Sequence, residues 1–277
     1  MAITAADVNK LRQVTGAGMM DCKKALEETN GDFEAAIDNL RKKGQKVASK
    51  RADREANEGV VIAKTTSDNK KGIIIKLTSE TDFVAKNADF IQFAESIANA
   101  AISETPATLE ELKGKTINGK VIADLIDEQV GKIGEKIDVT EYIVLESEDV
   151  VAYNHAGNRI GVLVALNQAH SDATSNAGKD AAMQIAAMNP VALDSSDVDT
   201  TIIERELEIA REQIRAEGKP ENMIEKIAQG KLNKFYKDST LLNQDFVKDP
   251  SKTVKKMIQE AHPDLQILKF KRIALGE

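Results

Sequence analysis

The residues that could carry covalent or metal chemistry are few in this sequence and lie far apart. The three histidines are His155, His170 and His262, and their separation does not match the short spacing of metal ligands. Cys22 is the single cysteine, which excludes a disulfide framework, and we expect a buried apolar thiol there. The sequence contains no glycine-rich phosphate loop and no nucleophile elbow. It therefore predicts a protein that is not an enzyme, that acts by binding, and that uses no metal, cofactor or small-molecule substrate.

Thr81-Asp82-Phe83-Val84 is the stretch that most strongly suggests an interaction site. It follows the apolar run 72–77, which is typical of a buried strand, and it precedes a helix that begins near Asn87. A carboxylate and an aromatic ring therefore stand side by side where a loop should be polar. Either Phe83 folds back as a lid on its own helix, or it forms an apolar wedge that is presented to a partner.

The charge balance of the chain argues against nucleic acid as the main partner. The formal net charge is −7 over 277 residues, whereas affinity for a phosphate backbone depends on clustered lysine and arginine. One basic cluster, at 41–54, is an exception. It is either a solvated helix end with a linker or a surface that binds RNA.

Targeting signals are not apparent in the sequence. No apolar run approaches the length needed to span a membrane, and the first residues do not combine a charged region with an apolar one. We therefore expect a cytoplasmic protein without a membrane partner.

Three short helices are predicted at the beginning of the chain. Thr4 and Asp7 have the spacing of a capping box, Asn30-Gly31 separates the second helix from the third, and Gly44 is predicted to end the third. Helices this short must share a core, which indicates a small domain. Met19 and Met20 are adjacent, so they point about 100° apart on a helix and one of them should be exposed.

A unit of two strands and a helix occurs twice. The first copy has strands at 59–63 and 72–77, and the second has strands at 150–153 and 160–166. An apolar helix follows each copy at nearly the same separation, which indicates an internal duplication. The second copy has no large apolar residue at 168–172, where the first has Phe83. An aromatic ring is therefore not needed to cover the core of such a unit. This favours the interpretation that Phe83 is an apolar wedge presented to a partner.

The remaining segments complete an α+β fold. The range 107–131 is predicted to be helical and to lead into a strand at 142–145, whereas 202–228 has the charge pattern of a projecting helical hairpin. A helix from Pro250 and a strand at 265–275 end the chain. We therefore predict a three-helix domain at 1–45, a linker helix at 46–58, a first core subdomain at 59–147, a second at 148–196 with 237–277, and an antiparallel coiled-coil protrusion at 197–236.

Several of these stretches together resemble the bacterial elongation factor Ts family. The two most specific motifs are Thr15-Gly-Ala-Gly-Met-Met-Asp-Cys-Lys-Lys-Ala-Leu26 and Thr81-Asp-Phe-Val-Ala-Lys86. The resemblance extends over nearly the whole chain through Asn30-Gly-Asp32, Ala35-Ala-Ile37, Lys132-Ile-Gly-Glu135, Arg159-Ile-Gly-Val-Leu-Val164, Gly218-Lys-Pro220 and Phe246-Val-Lys-Asp-Pro-Ser-Lys-Thr253.

The resemblance implies a guanine-nucleotide exchange factor for elongation factor Tu in its GDP-bound and nucleotide-free forms. It implies that the three-helix domain resembles ubiquitin-associated (UBA) domains. By the same similarity, Thr81, Asp82, Phe83 and Val84 would enter near the partner's Mg²⁺ site and dislocate the ion. The other positions that match partner contacts of the family are Arg12, Met19, Met20, Lys23, Ile133, Gly134 and His155.

A second interpretation of the sequence assigns the protein to a different functional class. A protein-binding adaptor could use the three-helix domain to hold peptides or helices without changing nucleotide affinity. The two readings differ in one observable, because an adaptor would leave the rate of GDP release from the partner unchanged.

Overall fold

The computed structural model describes residues 3–155 and 157–277, which form an α+β fold with small antiparallel sheets. The chain divides into two units. The first unit consists of Met1–Ile62, Ile74–Val144 and Ile273–Glu277, and the second of Ala63–Ile73 and Leu145–Arg272.

Three helices at the beginning of the first unit share one apolar core. They are α1 (Ala5–Thr15), α2 (Met19–Glu28) and α3 (Phe33–Arg51). Thr4 and Asp7 form the predicted capping box, and Asp32 caps α3. Apolar side chains on one face of each helix meet because none of these helices could bury that face alone. The fully covered members of the core are Val8, Leu11, Cys22, Ala25, Leu26 and Ala36.

The predicted end of the third helix at Gly44 is wrong, because α3 continues to Arg51. Gly44 is buried at a close crossing with α7 (Ile122–Ile133), where a Cβ atom on Gly44 would lie 2.8 Å from the carbonyl oxygen of Asp127. A Cβ atom on Gly131 would lie 2.8 Å from the Cα of Gly44. The glycine therefore permits close helix packing. The separate linker helix at 46–58 is also wrong in its second half, since residues 52–57 are not helical.

A matched pair of glycine substitutions tests this crossing. Gly44→Ala should lower the free energy of unfolding by about 1–3 kcal/mol, because backbone atoms would have to move. Gly230→Ala, in an exposed helical position with nothing within 4 Å of the added Cβ, should raise it by about 0.5–1 kcal/mol. Chemical denaturation of both variants measures the difference. Equal effects would contradict a role for Gly44 in packing.

The rest of the first unit surrounds a three-stranded sheet. The strand order is β1-β2-β5, so the second strand of the hairpin is central. The elements are β1 (Glu58–Thr65), β2 (Lys71–Ser79), α4 (Asp82–Ala85), α5 (Ala88–Glu104), α6 (Leu109–Lys113), β3 (Thr116–Ile117), β4 (Lys120–Val121), α7 and β5 (Asp138–Glu146).

The predicted continuous helix at 107–131 is wrong. The segment contains two helices, α6 and α7, and a short antiparallel hairpin of β3 and β4 separates them. Asn118 and Gly119 both have positive φ, at 52° and 79°, as a tight hairpin turn requires. The Asn-Gly pair was the local signal for this turn, and the apolar spacing on either side obscured it.

The second unit combines a hairpin, a long helix and a pair of helices that pack against each other. The strand order of its sheet is β10-β7-β6, again with the second strand of the hairpin in the centre. The predicted helix start at Pro250 is wrong, because β9 occupies that segment and Thr253 caps the helix. The elements are β6 (Asp149–His155), β7 (Ile160–Leu166), α8 (Asp172–Met188), α9 (Thr200–Ala216), α10 (Glu221–Ser239), β8 (Asp245–Phe246), β9 (Asp249–Thr253), α11 (Val254–Ala261) and β10 (Ile267–Ala274).

The helices α9 and α10 pack against each other through a narrow apolar core. Ion pairs border that core, with the guanidinium of Arg211 at 2.6 Å from the Glu225 carboxylate and that of Arg215 at 3.2 Å from Glu221. Gly218 turns the chain with φ at 73°. The buried side chains between the two helices are Ala210, Ile214, Ile224 and Ala228.

Candidate partner-binding site

The segment with the exposed aromatic ring is a single helical turn. The turn α4 begins at Asp82, and the hydroxyl oxygen of Thr81 accepts a hydrogen bond from the Val84 N–H at 3.4 Å. Ala85 is buried beneath the turn, whereas the side chain of Phe83 is 83% exposed. The interpretation of Phe83 as a lid on its own helix is therefore wrong. An exposed phenylalanine on a short surface turn is suited to burial against another molecule.

The carboxylate beside that ring already has a cationic partner. The Lys86 ammonium donates to the Asp82 carboxylate at 2.6 Å, one helical turn along the chain. This hydrogen bond holds the pKa of the Asp82 carboxyl below its usual value. Asp82 is therefore charged at neutral pH, and an incoming cation would have to compete with Lys86 for it.

Glu135 anchors the segment from a distant part of the sequence. Its carboxylate accepts hydrogen bonds from the backbone N–H groups of Glu80 at 3.1 Å and Thr81 at 3.0 Å. The Thr81 hydroxyl donates to the same carboxylate at 2.7 Å. Hydrogen bonds to an ionised acceptor are stronger than neutral ones. Three of them fix the start of the turn that carries Phe83.

Glu80 in turn accepts a hydrogen bond from the residue that follows Glu135. Its carboxylate accepts from the backbone N–H of Lys136 at 2.6 Å and from the Arg51 guanidinium at 2.7 Å. Desolvation by burial opposes ionisation, but these hydrogen bonds outweigh it and hold the pKa of the Glu80 carboxyl below its usual value. Their contribution to stability is therefore complete at neutral pH and is lost as the pH falls through that lowered pKa. Each of the two carboxylates thus binds the segment that carries the other, and we call Glu80 and Glu135 together the carboxylate clasp.

A structural role for Glu135 could not be predicted from the sequence. Glu135 is the last residue of the motif Lys132-Ile-Gly-Glu135, but Thr81, to which it is hydrogen-bonded, lies more than 50 residues earlier in the chain. The positive φ of Gly134, at 80°, ends α7 and directs the chain toward that partner. Helical and strand periodicity report local faces only, so neither could have joined the two segments.

A second group of exposed side chains lies on α1 and α2. Both methionines are exposed, Met19 at 55% and Met20 at 73%, where the sequence required only one. Val14 adds a further exposed apolar side chain, at 63%, although it shares helical spacing with the buried Val8 and Leu11. Arg12 and Lys23 are also exposed, and the Lys23 ammonium lies 3.7 Å from the carboxylate of Glu27 on the same helix.

Lys132 lies between the loop that joins α1 to α2 and the start of α5. A Cβ atom on Gly16, in the loop between α1 and α2, would lie 3.0 Å from the Cε of Lys132. The Lys132 ammonium lies 4.0 Å from the carboxylate of Asp89, in the first turn of α5. Ile133 and Gly134 stand between Lys132 and the clasp, and both are partly exposed. The first unit therefore contains every predicted contact residue except His155.

His155 belongs to the second unit, at the end of β6. The Tyr153 hydroxyl and the His155 Nδ1 atom are hydrogen-bonded at 2.8 Å, and the imidazole is partly exposed. The predicted turn beside it includes Ala156, which lies outside the described residues.

The described ranges 3–155 and 157–277 contain neither a metal-binding cluster nor a membrane-spanning helix. Within these ranges no group of three or more histidine, cysteine, aspartate or glutamate side chains could hold a metal ion. No helix there is long and apolar enough to cross a bilayer. The exposed apolar side chains described above are a phenylalanine on a clasped turn and two methionines on α2, and exposed apolar groups of this kind are typical of interaction sites.

Comparisons with known proteins agree on one class, the translation elongation factors. A model of the family described as Elongation factor TS matches residues 80–277. The chain is 54% identical over 275 residues to elongation factor Ts of Cytophaga hutchinsonii, with 99% of each chain covered. It is 53% identical over 276 residues to that of Amoebophilus asiaticus, with 100% of each covered. Against that of Porphyromonas gingivalis it is 47% identical over 279 residues, covering 100% of this chain and 99% of the relative.

The chain belongs to the elongation factor Ts family, since the family model covers well over half of it and these relatives match it from end to end.

Proposed function

We propose that this chain is a guanine-nucleotide exchange factor that binds elongation factor Tu carrying GDP, disturbs the Mg²⁺ and phosphate site, and promotes GDP release during translation elongation. Family membership supports the activity. The observation that carries the mechanism is the 83% exposure of Phe83 on a turn held by the carboxylate clasp. No covalent chemistry of the chain's own is needed, because exchange requires only that the nucleotide-free partner bind better than the GDP-bound one.

Energetic coupling sets the size of the interface. Binding is reciprocal, so GDP must weaken the factor's affinity by the same ratio by which the factor weakens that of GDP. Each tenfold change takes about 1.4 kcal/mol. Burying Phe83 supplies about 1.5–3 kcal/mol, which covers one or two factors of ten. A wider surface must supply the rest.

The helical face of α1 and α2 is the proposed source of that additional affinity. Met19 and Met20 are adaptable apolar side chains, and Arg12 and Lys23 add positive charge beside them. We propose that this face docks on the nucleotide-binding domain of the partner. Further proposed contacts are Ile133, Gly134 and His155.

The role proposed for the wedge is to displace elements that hold the partner's ion. Mg²⁺ is the largest local charge in a nucleotide site, so a carboxylate brought near it changes the local electrostatics. Asp82 is paired with Lys86 in this structure. If Asp82 acts on the ion, its carboxylate must first leave the Lys86 ammonium, whereas the ring of Phe83 has no ion pair to break. We therefore assign the larger part of the effect to Phe83, with Thr81 and Val84 forming the turn that presents it.

The proposed domain organisation follows the same division of roles. The helices α1, α2 and α3, the last of which ends at Arg51, would form a UBA-like docking module. The two hairpin-plus-helix subdomains, 59–147 and 148–196 with 237–277, would be copies of one duplicated unit. The shared central position of β2 and β7 supports the duplication. The protrusion 197–236 would be an antiparallel coiled coil. We propose a cytoplasmic location and no direct nucleic-acid or membrane partner.

A release assay tests the function directly. Elongation factor Tu loaded with a fluorescent GDP analogue is mixed with the protein, and the release is timed against an excess of unlabelled GDP. We expect acceleration that rises with the concentration of the protein and then saturates. A release rate that does not change, together with measurable binding, would support the adaptor instead.

A further inference from the structure

We propose that the carboxylate clasp is a positioning device that couples the end of α3 to the turn carrying Phe83, so that docking of the three-helix segment and entry of the wedge occur as one event. This inference rests on the proposed function. It assigns roles to Glu80, Glu135, Lys136 and Arg51, none of which needs to touch the partner.

The clasp extends to the end of α3 through two side chains. The Lys136 ammonium donates to the backbone carbonyl oxygens of Ala52 at 2.6 Å and Arg54 at 2.9 Å, just beyond the last helical residue. The Arg51 guanidinium binds Glu80, whose carboxylate also accepts the Lys136 N–H. Three segments of the chain therefore meet at one cluster of hydrogen bonds.

A turn as short as α4 needs such support. Four residues cannot form a stable helix alone, because the first turn fixes several backbone angles for a single hydrogen bond. The exposed ring of Phe83 adds no packing to this protein before the partner arrives. Ala85 and the clasp must therefore hold the turn in place. Misplacing a positioned group by about 1 Å can cost roughly 100-fold in rate.

The helix α3 reaches the wedge by two routes. At Gly44 it crosses α7, whose C-terminal end leads through Gly134 to Glu135. At its own C-terminal end it meets Glu80 and Lys136. Because α3 also supplies part of the core of the three-helix segment, a rigid connection fixes the distance between the two contact surfaces. Joining two contacts rigidly raises the effective concentration of the second after the first has formed.

Glu135 variants test the positioning of the turn. Glu135→Ala removes three acceptor interactions, and we expect the maximal rate of GDP release to fall about 10- to 100-fold. The protein concentration for the half-maximal rate should change less than about 3-fold, because the docking surface is intact. Glu135→Gln can still accept both N–H groups and donate to the Thr81 hydroxyl, so it should restore most of the rate. Glu110→Ala removes an exposed carboxylate elsewhere in the first unit and is the matched control.

Hydrogen exchange shows whether the clasp has opened. The amides of Glu80 and Thr81 should exchange faster in Glu135→Ala and not in the control. If Glu135→Ala does not fold, Thr81→Val decides, because it keeps the branched shape and removes the hydroxyl, which donates to Glu135 and accepts from the Val84 N–H. A variant with faster exchange at these amides and an unchanged maximal rate would overturn the positioning role.

Lys136→Met tests the coupling to α3 separately. It breaks both bonds to the carbonyl oxygens of Ala52 and Arg54, whereas the backbone N–H to Glu80 remains. We expect the half-maximal concentration to rise about 10-fold with a maximal rate within about 3-fold of the parent, since the wedge is intact but less rigidly joined to the docking surface. Lys256→Met, at an exposed lysine of the second unit, is the control. An unchanged half-maximal concentration would overturn the coupling.

Comparison with Phe83→Ala separates this inference from the proposed function. If Phe83→Ala slows release and Glu135→Ala does not, the wedge stands and the clasp is overturned. If Glu135→Ala slows release and Phe83→Ala does not, the wedge is overturned and the clasp positions some other contact of the turn. If neither slows release, both are overturned.

Discussion

Replacing Phe83 with alanine is expected to slow the maximal rate of GDP release from elongation factor Tu by about 10- to 100-fold, which corresponds to the free energy of burying one phenylalanine. The fold should be unaffected, because the ring is 83% exposed and contributes little to the core. Stopped-flow release of a fluorescent GDP analogue at saturating protein measures the rate, and thermal unfolding of the isolated variant checks the fold.

Leu268→Ala is a suitable control for this variant. Leu268 is also a large exposed apolar residue, at 53%, but it lies on β10 and has no proposed role. The control should release GDP at the parent rate. Equal rates for the parent and Phe83→Ala would remove the ring from the mechanism.

Replacing Met19 and Met20 together with alanine is expected to act on a different kinetic quantity. Both side chains are exposed, and their burial against the partner would stabilise the encounter without touching the nucleotide site. The concentration for the half-maximal rate should therefore rise about 10- to 100-fold, whereas the maximal rate stays near that of the parent. A titration of release rate against protein concentration separates the two quantities.

The control for the methionine pair is Met188→Ala. Met188 is 48% exposed at the end of α8, in the second unit. It should leave the titration unchanged. A double variant that lowers the maximal rate at an unchanged half-maximal concentration would mean that α2 acts on the nucleotide site and not on docking.

The local elements of this fold could be predicted because their signals are local. The capping box of Thr4 and Asp7 and the cap at Asp32 depend on residues three apart, and the structure has each of them. The hairpins follow from apolar runs on either side of polar turns. Cys22 was also predicted correctly as a buried thiol, and its neighbours in the core are apolar.

The failures have a common physical origin in tertiary packing. Gly44 looks like the end of a helix in the sequence. Its small size is needed instead because α7 packs closely against it, and the local sequence carries no signal of that contact. The exposure of Phe83 could be argued only from its missing counterpart in the second hairpin unit. Glu135 could not be assigned at all, because its partners lie in a different element.

The central claim is that the protein binds the nucleotide-free form of elongation factor Tu better than the GDP-bound form. Isothermal titration calorimetry against both forms, at one ionic strength and Mg²⁺ concentration, measures it most directly. We predict that the nucleotide-free form binds at least about 100-fold more tightly, a difference of about 2.7 kcal/mol. Equal dissociation constants for the two forms would contradict the account, because a ligand with equal affinity for both states shifts nothing.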